Sequence, residues 1–574
     1  MDKLKMQTAD GTMQNIERIA QLFPNCVTEV MKDGKETLAI DFDRLRQELS
    51  DHVVEGNDER YQFTWPDKRK AQLAANAPIS ATLRPCREES VDFDTTGNLY
   101  IEGDNLDVLK CLKETYSGKI KMIYIDPPYN TGNDFVYNDD FAESASEYLA
   151  NSGQYDDQGN RLVTNTESNG RYHTDWLNMI YPRLKIAREL LSEDGAIFIS
   201  IGDDEESNLI KVCDEIFGEQ NFIASICHKH RASISNDRII SENHNHLVFY
   251  AKSQSTLFSL QKQIGEDPIL DGFNLSDERG EYKLTPVDGP GGAKKGNPHY
   301  EFLGVEGYWR YSKETMQQKY DEGLIVRTNK GLQQKYYKST AAKSRRTVST
   351  WWDEDFLTSS ATKALDILMG KKCFDNPKNV NLVLRCLKMI TFFDKEAIVL
   401  DFFSGSATSA HATMYLNSID NGARKYILVQ LPEIPEEKSV AAIAGYKSIC
   451  DIGKERIRRA GKKIKAENPN ATTLDTGFRV LKLADSNMKD VYYAPADLQQ
   501  ADLFGQAENI KDDRTPEDLL FQVMLELGVL LDSKIEVQQV AGKQIYNVAD
   551  GFLIACFDKG VTDEVITAIA KQHP

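Results

Sequence analysis

The sequence lacks the long hydrophobic runs of membrane and secreted proteins. No stretch of its 574 residues approaches the ~18 consecutive apolar residues of a membrane-spanning helix, and residues 1–6 form no apolar signal core. Its nine cysteines include no Cys-x-x-Cys pair, so a disulfide framework is not expected. These absences predict a cytoplasmic protein with reduced thiols and no membrane partner.

Basic residues are too few to balance the acidic ones, and the formal net charge is −19. Taken over the whole surface, that charge argues against nucleic-acid binding. Residues 221–350 differ, because their 19 Lys and Arg outnumber 14 Asp and Glu, which leaves −24 on the other 444 residues. A basic middle on an acidic body can bind DNA locally and with strong salt dependence, although a solvated face gives the same composition.

The chain also lacks the Gly-Lys-Ser/Thr of a phosphate-binding loop, so any ATP-driven activity would have to come from another chain.

From Leu99 onward, the chain contains an alternation of short apolar strands with amphipathic helices. The alternation runs through Ala196–Ile201 and returns at residues 381–390 and 397–403. This pattern predicts α/β units around a parallel, doubly wound sheet.

The most informative motif is Asp126-Pro127-Pro128-Tyr129, which follows the apolar run Met122–Ile125. It places a carboxylate, a carbonyl oxygen, a stiff turn of two prolines and a flat ring at the carboxyl edge of a sheet. This set fits a planar heterocycle with an exocyclic amine. Asp126 and the Pro127 carbonyl would accept the amine hydrogens while Tyr129 stacks on the ring, which prepares the nitrogen to attack a methyl group. A strand that merely ends in a proline turn is the alternative.

A second motif runs from the strand Ile398–Asp401 through Phe403, Ser404 and Gly405 into a helix. Small residues let the backbone approach a ligand, and a helix amino end favours a carboxylate. Because only Gly405 is glycine, this is not a dinucleotide fingerprint, and alone it is a weak sign of a ligand loop. Asp126 and Asp401 both end apolar strands, however, and such ends gather on one edge of a doubly wound sheet.

Together these motifs resemble DNA amino methyltransferases that use S-adenosylmethionine, in the permuted order that places Asp-Pro-Pro-Tyr before the recognition domain. More narrowly, the chain resembles the modification (Mod) subunits of type III restriction–modification systems. The likeness covers roughly residues 95–490 and is strongest in the runs 123–141, 174–179, 401–412 and 455–464. It implies a class I S-adenosylmethionine-dependent methyltransferase fold, Rossmann-like, with an inserted target recognition domain.

The resemblance also assigns residues around the cofactor. Those expected to line it are Asp104, Asn105, Phe374, Asn376, Lys378, Asp401, Phe403, Gly405, Ser406, Ala407 and Gln430. Two of them depart from the family pattern. Ala407 replaces a second glycine, which is tolerable if its φ is negative, and Gln430 stands where many relatives have an acid for the ribose, with Glu433 three residues on.

The activity implied is methylation of adenine N6 in duplex DNA, with the base swung out of the helix and no metal required. Methylation of cytosine N4 is an alternative, although those enzymes usually carry Ser in place of Asp126. A non-catalytic DNA-recognition subunit is another. The partners implied are double-stranded DNA, a second copy of the chain and the Res subunit, an ATP-dependent endonuclease.

The implied organisation has five parts. They are an N-terminal extension at 1–95, the catalytic half of the core at 96–220, the recognition domain at 221–355, the cofactor half at 356–490 and a terminal module at 491–574. In that module Thr515-Pro516-Glu517-Asp518 is typical of a helix start. The following Leu519–Leu531 is apolar on more than one face, so it needs cover from the body or from a second copy, and we expect it at or near a dimer contact.

Two groups of residues invite other interpretations. Cys227, His228, His230, His244 and His246 are metal-binding types, but their spacing matches no zinc ligand set, so no metal is expected. The seven basic residues within Lys454–Lys465 predict either a solvated helix face or a phosphate contact.

Overall fold

Two compact units make up the chain, one of residues 1–257 and 349–574 and one of residues 258–348. The computed structural model describes residues 11–22, 26–32, 35–42, 45, 63–132, 171–489 and 509–572, except 235, 237–238, 261–262 and 354–355. The loop predicted over 133–170 lies outside the described residues.

The larger unit is built on a ten-stranded sheet, counted over the described residues. In spatial order its strands are β15 (Trp351–Trp352), β7 (Phe222–Lys229), β8 (His244–Ala251), β6 (Leu191–Ile201), β5 (Ile120–Ile125), β16 (Ile398–Asp401), β17 (Lys425–Gln430), β4 (Leu99–Glu102), β18 (Phe478–Asp485) and β3 (Ala81–Val91). The six neighbours from β6 to β18 run parallel. Their carboxyl ends therefore meet at one edge, as the alternating pattern predicts.

Helices cover both faces of this sheet, which is why β5 is buried at every position. The helices of this unit are α1 (Gly11–Leu22), α2 (Lys68–Asn76), α3 (Asn105–Tyr116), α4 (Tyr172–Leu190), α5 (Asp203–Phe217), α6 (Gln254–Ser259), α9 (Thr358–Met369), α10 (Val380–Thr391), α11 (Thr408–Asp420), α12 (Val440–Ile443), α13 (Ile449–Glu467), α14 (Pro516–Glu526) and α15 (Asp563–Ala570). Helices α3, α4 and α5 share one core, and α11 and α13 share the core on the opposite face. No helix among the described residues is long and apolar enough to cross a membrane.

The smaller unit has its own apolar core around Trp309, Phe302 and Met316. It contains the strands β9 (Leu275–Asp277), β10 (Gly280–Pro286), β11 (His299–Phe302), β12 (Val305–Tyr308), β13 (Ile325–Thr328) and β14 (Gly331–Tyr337), with helices α7 (Lys313–Asp321) and α8 (Lys338–Ala341). This unit is shorter than the inserted domain predicted over 221–355. Strands β7 and β8 fall inside that predicted range but extend the central sheet by antiparallel pairing with β6.

The terminal module shows the predicted helix start and three strands. Thr515 and Asp518 form a reciprocal capping box, with Pro516 in the first turn of α14. The strands are β19 (Ile535–Val540), β20 (Lys543–Val548) and β21 (Leu553–Ala555), and a separate hairpin, β1 (Val27–Lys32) and β2 (Lys35–Ile40), lies near the amino end.

The apolar surface of α14 is covered by its own chain and does not need a second copy. Leu520, Phe521 and Met524 are fully buried in the core that contains α3. Asp518 also receives two hydrogen bonds from Arg84 of β3, at 3.1 and 3.2 Å. Of the two sources of cover that the sequence predicts, the body is the one observed for α14, and a dimer contact of the Leu519–Leu531 segment stays a prediction without this support.

Candidate active site

Strands β5 and β16 are neighbours in the sheet, so Asp126 and Asp401 lie at the same edge although 275 residues separate them. Both residues line a cavity of about 1230 Å³. The other predicted residues that line it are Pro127, Pro128, Tyr129, Phe374, Asn376, Lys378, Phe403, Gly405, Ser406 and Gln430. The fold thus brings most of the predicted catalytic and cofactor residues to one place.

The Asp-Pro-Pro-Tyr turn is contacted by Lys378, a residue that the resemblance assigned only to the cofactor site. Lys378 Nζ lies 3.0 Å from Asp126 Oδ1 and donates to the Tyr129 hydroxyl oxygen at 2.6 Å. The Tyr129 hydroxyl also lies 2.9 Å from Ser200 Oγ at the end of β6. Burial raises the pKa of Tyr129 to about 12 against the lowering effect of Lys378, so the phenol stays protonated at neutral pH.

The same turn is held by Trp176 and Asn130, two residues to which the sequence analysis gave no role. Trp176 Nε1 of α4 donates to the Pro128 carbonyl oxygen at 2.8 Å. Asn130, fully buried with φ 61°, donates to Glu205 Oε1 at 2.6 Å and to the Tyr172 carbonyl oxygen at 3.2 Å. Asn tolerates the left-handed backbone conformation better than most residues. An Asn directly after the Asp-Pro-Pro-Tyr turn was therefore the sequence signal for this position.

The second turn is closed by hydrogen bonds within the cofactor motif. Asp401 accepts from Ser409 Oγ at 2.5 Å and from the Phe403 amide at 3.1 Å. Burial nevertheless raises the pKa of Asp401 to about 7, because it outweighs these two bonds. Asp401 therefore holds the turn at the end of β16 through these two bonds.

Ala407 has φ 62° and ψ 43°, so the condition of a negative φ is not met. The backbone keeps the left-handed conformation that a glycine would take at this point, at a cost of roughly 1–2 kcal/mol for an L-residue. Buried Arg456 of α13 supports the turn from behind, since its guanidinium donates to Ser406 Oγ at 2.7 Å and to Thr408 Oγ1 at 2.8 Å.

Arg456 also changes the interpretation of the basic run Lys454–Lys465. Lys454 is buried with Glu89 and Glu102, and Arg459 pairs with Glu455 at 2.7 Å. Lys454 and Arg456 are therefore bound within the chain, whereas Lys462, Lys463 and Lys465 are exposed, as a solvated face predicts.

Asp104 and Asn105 do not line the cavity. Asp104 caps helix α3 through the Asp107 amide at 3.1 Å and pairs with Arg183 at 3.2 Å. Asn105 donates to the Phe402 carbonyl oxygen at 2.9 Å and accepts from Arg183. Asn105 thus braces the chain just after β16, and Asp104 braces the start of α3 against Arg183.

At the end of β17, the amide oxygen of Gln430 accepts from the Gly405 amide at 2.7 Å. Gln430 therefore holds the cofactor turn, and the cavity wall beyond it is supplied by Glu433. An amide suffices at position 430, because its oxygen accepts the one backbone hydrogen bond that Gly405 donates.

The histidines form a cluster that differs from the one the sequence suggested. Asp203, His244 and His246 place one ligand atom each within 4.8 Å of one another, whereas Cys227, His228 and His230 are not part of the group. His246 already uses both ring nitrogens, with Asp203 at 2.8 Å and Glu206 at 2.9 Å. Burial lowers the pKa of His228 to about 3, so that residue is a neutral core histidine.

Comparison with known proteins places the site in a family. Residues 120–456 match the N6/N4 family described as DNA methylase. The chain is 34% identical over 505 residues to the type III restriction-modification enzyme EcoPI Mod subunit of Escherichia phage P1, which covers 81% of this chain and 76% of that protein. It is 32% identical over 609 residues to the EcoP15I Mod subunit of Escherichia coli, at 96% and 89% coverage. The chain belongs to the type III Mod family.

As a type III Mod protein, the chain is a DNA methyltransferase, and the predicted fold class is confirmed. The family match likewise bears out S-adenosylmethionine as the cofactor. A type II methyltransferase, M.KpnI of Klebsiella pneumoniae, is also similar, with 31% identity over 395 residues that cover 63% of this chain and 87% of that protein.

Proposed function

We propose that this type III Mod protein methylates N6 of adenine at a specific site in duplex DNA. The observation that carries the proposal is the placement of Asp126 and Asp401 on adjacent strand ends around one cavity. An acid at position 126 suits an amine that becomes positively charged as it accepts the methyl group. Methylation of cytosine N4 is the second candidate.

In this proposal the cofactor half of the cavity is built on the Gly405 turn. The ring of Phe374 lies against this turn, with its Cζ 3.4 Å from where a Gly405 Cβ would stand. Phe403, Gly405 and Ser406 would hold the methionine part, and Glu433 would accept from the ribose hydroxyls. When bound there, S-adenosylmethionine supplies a methyl group already activated on a sulfonium.

The target adenine would leave the duplex and stack on Tyr129. Asp126 and the Pro127 carbonyl would accept the hydrogens of its amine, and Trp176 and Asn130 keep the turn that carries them in place. Most of the rate would come from alignment in a pocket from which water is excluded.

The inserted unit at 258–348 would read the bases, and a Res partner would supply ATP-driven cleavage. We further infer that the protein acts in the cytoplasm and pairs with a second copy to bind DNA. The dimer contact is then sought outside α14, whose apolar face is already covered.

Mass analysis of nucleosides from DNA incubated with the protein and isotope-labelled S-adenosylmethionine tests the proposal. Labelled N6-methyl-2′-deoxyadenosine is expected. Labelled N4-methyl-2′-deoxycytidine would favour the second candidate, and the absence of any labelled nucleoside would point to a subunit that recognises DNA without modifying it.

A further inference from the structure

The ammonium group of Lys378 lies close to two groups that the proposed function assigns to the target base, Asp126 and Tyr129. Its Nζ is 3.0 Å from Asp126 Oδ1, the carboxylate that would accept from that amine. It is also 4.4 Å from the centroid of the Tyr129 ring, on which the base would stack. One nitrogen of the chain thus contacts both groups that define the base position.

The positive charge of the Lys378 ammonium group also affects how Asp126 can act on the target amine. Methyl transfer leaves the adenine amine positively charged, and Asp126 is the carboxylate that faces it. While Lys378 pairs with Asp126, that negative charge is already compensated by a cation. An amine that reacts in this pocket therefore needs the ammonium group to leave the carboxylate first.

The backbone of Lys378 is tied to its neighbours, while its side chain lines the cavity. Its carbonyl oxygen accepts from Thr408 Oγ1 at 3.4 Å, which ties it to the cofactor turn. The next residue, Asn379, caps helix α10 through the Asn381 amide at 2.9 Å. Displacement then needs only the four side-chain bonds of the lysine to rotate, and a sulfonium entering the same cavity would repel the ammonium group.

We propose that Lys378 is a place-holder, a group of the chain that occupies the position of the target amine until the base enters. It keeps Asp126 and Tyr129 in their reacting positions and is displaced when the base arrives. Lys378 is thereby a positioning residue that competes with the base. This inference rests on the proposed adenine methylation.

The test measures base capture directly. The sequence that the wild-type protein methylates in plasmid DNA is mapped first, and a duplex with 2-aminopurine beside the target adenine, which keeps its own amine, then reports base extrusion by its fluorescence. Without cofactor, Lys378→Met should raise the captured fraction several-fold over wild type at equal DNA occupancy, because the competing cation is gone. Lys378→Arg, which keeps a cation, should stay near wild type.

Circular dichroism verifies folding, and Lys378→Gln replaces the Met variant if the latter does not fold. If the uncharged variant captures the target base no more often than wild type does, the place-holder role of Lys378 is refuted. If wild type modifies adenine and only the capture result fails, the inference falls alone. If wild type modifies no adenine at its mapped site, the proposed function falls instead.

Discussion

At the scale of single residues, the proposed mechanism has Asp126 accept from the reacting amine, and Asp126→Ala tests this role. We expect methyl transfer at saturating cofactor to fall by about 10³-fold or more, because the developing charge on the amine loses its carboxylate. Cofactor affinity measured by calorimetry should change little, since Asp126 faces the amine. Asp94→Ala removes a surface carboxylate paired with Arg87 and serves as the matched control. Full activity of Asp126→Ala would refute the mechanism.

Tyr129 separates stacking from hydrogen bonding. Tyr129→Ala should weaken productive base capture by ~1–3 kcal/mol, the usual worth of base–aromatic stacking. Tyr129→Phe should keep most of the capture, although it loses the hydroxyl contacts to Lys378 and Ser200. The 2-aminopurine duplex measures both. An equal loss in the two variants would mean that the hydroxyl itself is required.

Asp401 gives a pH dependence of stability with an unusual sign. Its pKa is about 7 in the fold and near 3.8 when unfolded, so between these values the folded state binds the extra proton. Its contribution therefore becomes less favourable as pH rises through this window. Relative to wild type, Asp401→Asn should gain free energy of unfolding from pH 5 to pH 8, as urea titrations of both proteins can measure. A difference that does not change with pH would contradict this.

At the scale of elements, the turn between β16 and α11 depends on two positions with positive φ. Gly405 has φ 48°, so Gly405→Val combines backbone strain with a side chain placed against Phe374, and we expect cofactor binding to be lost. Calorimetry on a variant shown to be folded is the measurement. Normal affinity there would move the cofactor site elsewhere.

Ala407 is the second position with positive φ in the same turn. Ala407→Gly should raise the free energy of unfolding by up to about 1 kcal/mol, since relief of left-handed strain exceeds the added chain entropy. Urea unfolding of the variant and wild type measures the change. A destabilised Ala407→Gly protein would show that the methyl group packs too well in its buried site to be removed.

Elements with local causes were predictable, and contacts across the fold were not. The capping box at Thr515, the strand end at Asp126 and the turn at Gly405 follow from neighbouring residues, and the structure has each of them. The pairing of Lys378 with Asp126 joins residues that are 252 positions apart, so no local pattern predicts it. The buried ion pairs of Lys454 were not predicted for the same reason. Its partners Glu89 and Glu102 are distant in the sequence, so the basic helix face looks solvated from its own residues alone.

At the scale of the whole molecule, the terminal module belongs to the core. Removing residues 491–574 takes away α14 and uncovers the apolar surface against which Phe521 and Met524 pack. We expect an insoluble or strongly destabilised protein, whereas removal of α15 alone should be tolerated. Solubility and thermal unfolding of the two truncated chains measure this, and a soluble, stable chain without 491–574 would contradict it.

Light scattering on the intact chain tests the proposed homodimer separately. A dimer mass is expected, and a chain that stays monomeric with DNA present would refute it. Because α14 is covered, the apolar surface uncovered by the truncation cannot be taken as a natural subunit contact.

The central pair of strands also constrains how this protein is made. Strand β5 is fully buried in the fold, yet its neighbour β16 is synthesised some 270 positions later. At ~5–20 residues per second, a ribosome needs about 14 to 54 s to cover that distance. During that time the β5 edge presents unpaired backbone groups and apolar side chains to the cell. Production of this enzyme should therefore depend on chaperones that bind nascent chains, and a shortage of these chaperones should lower its yield.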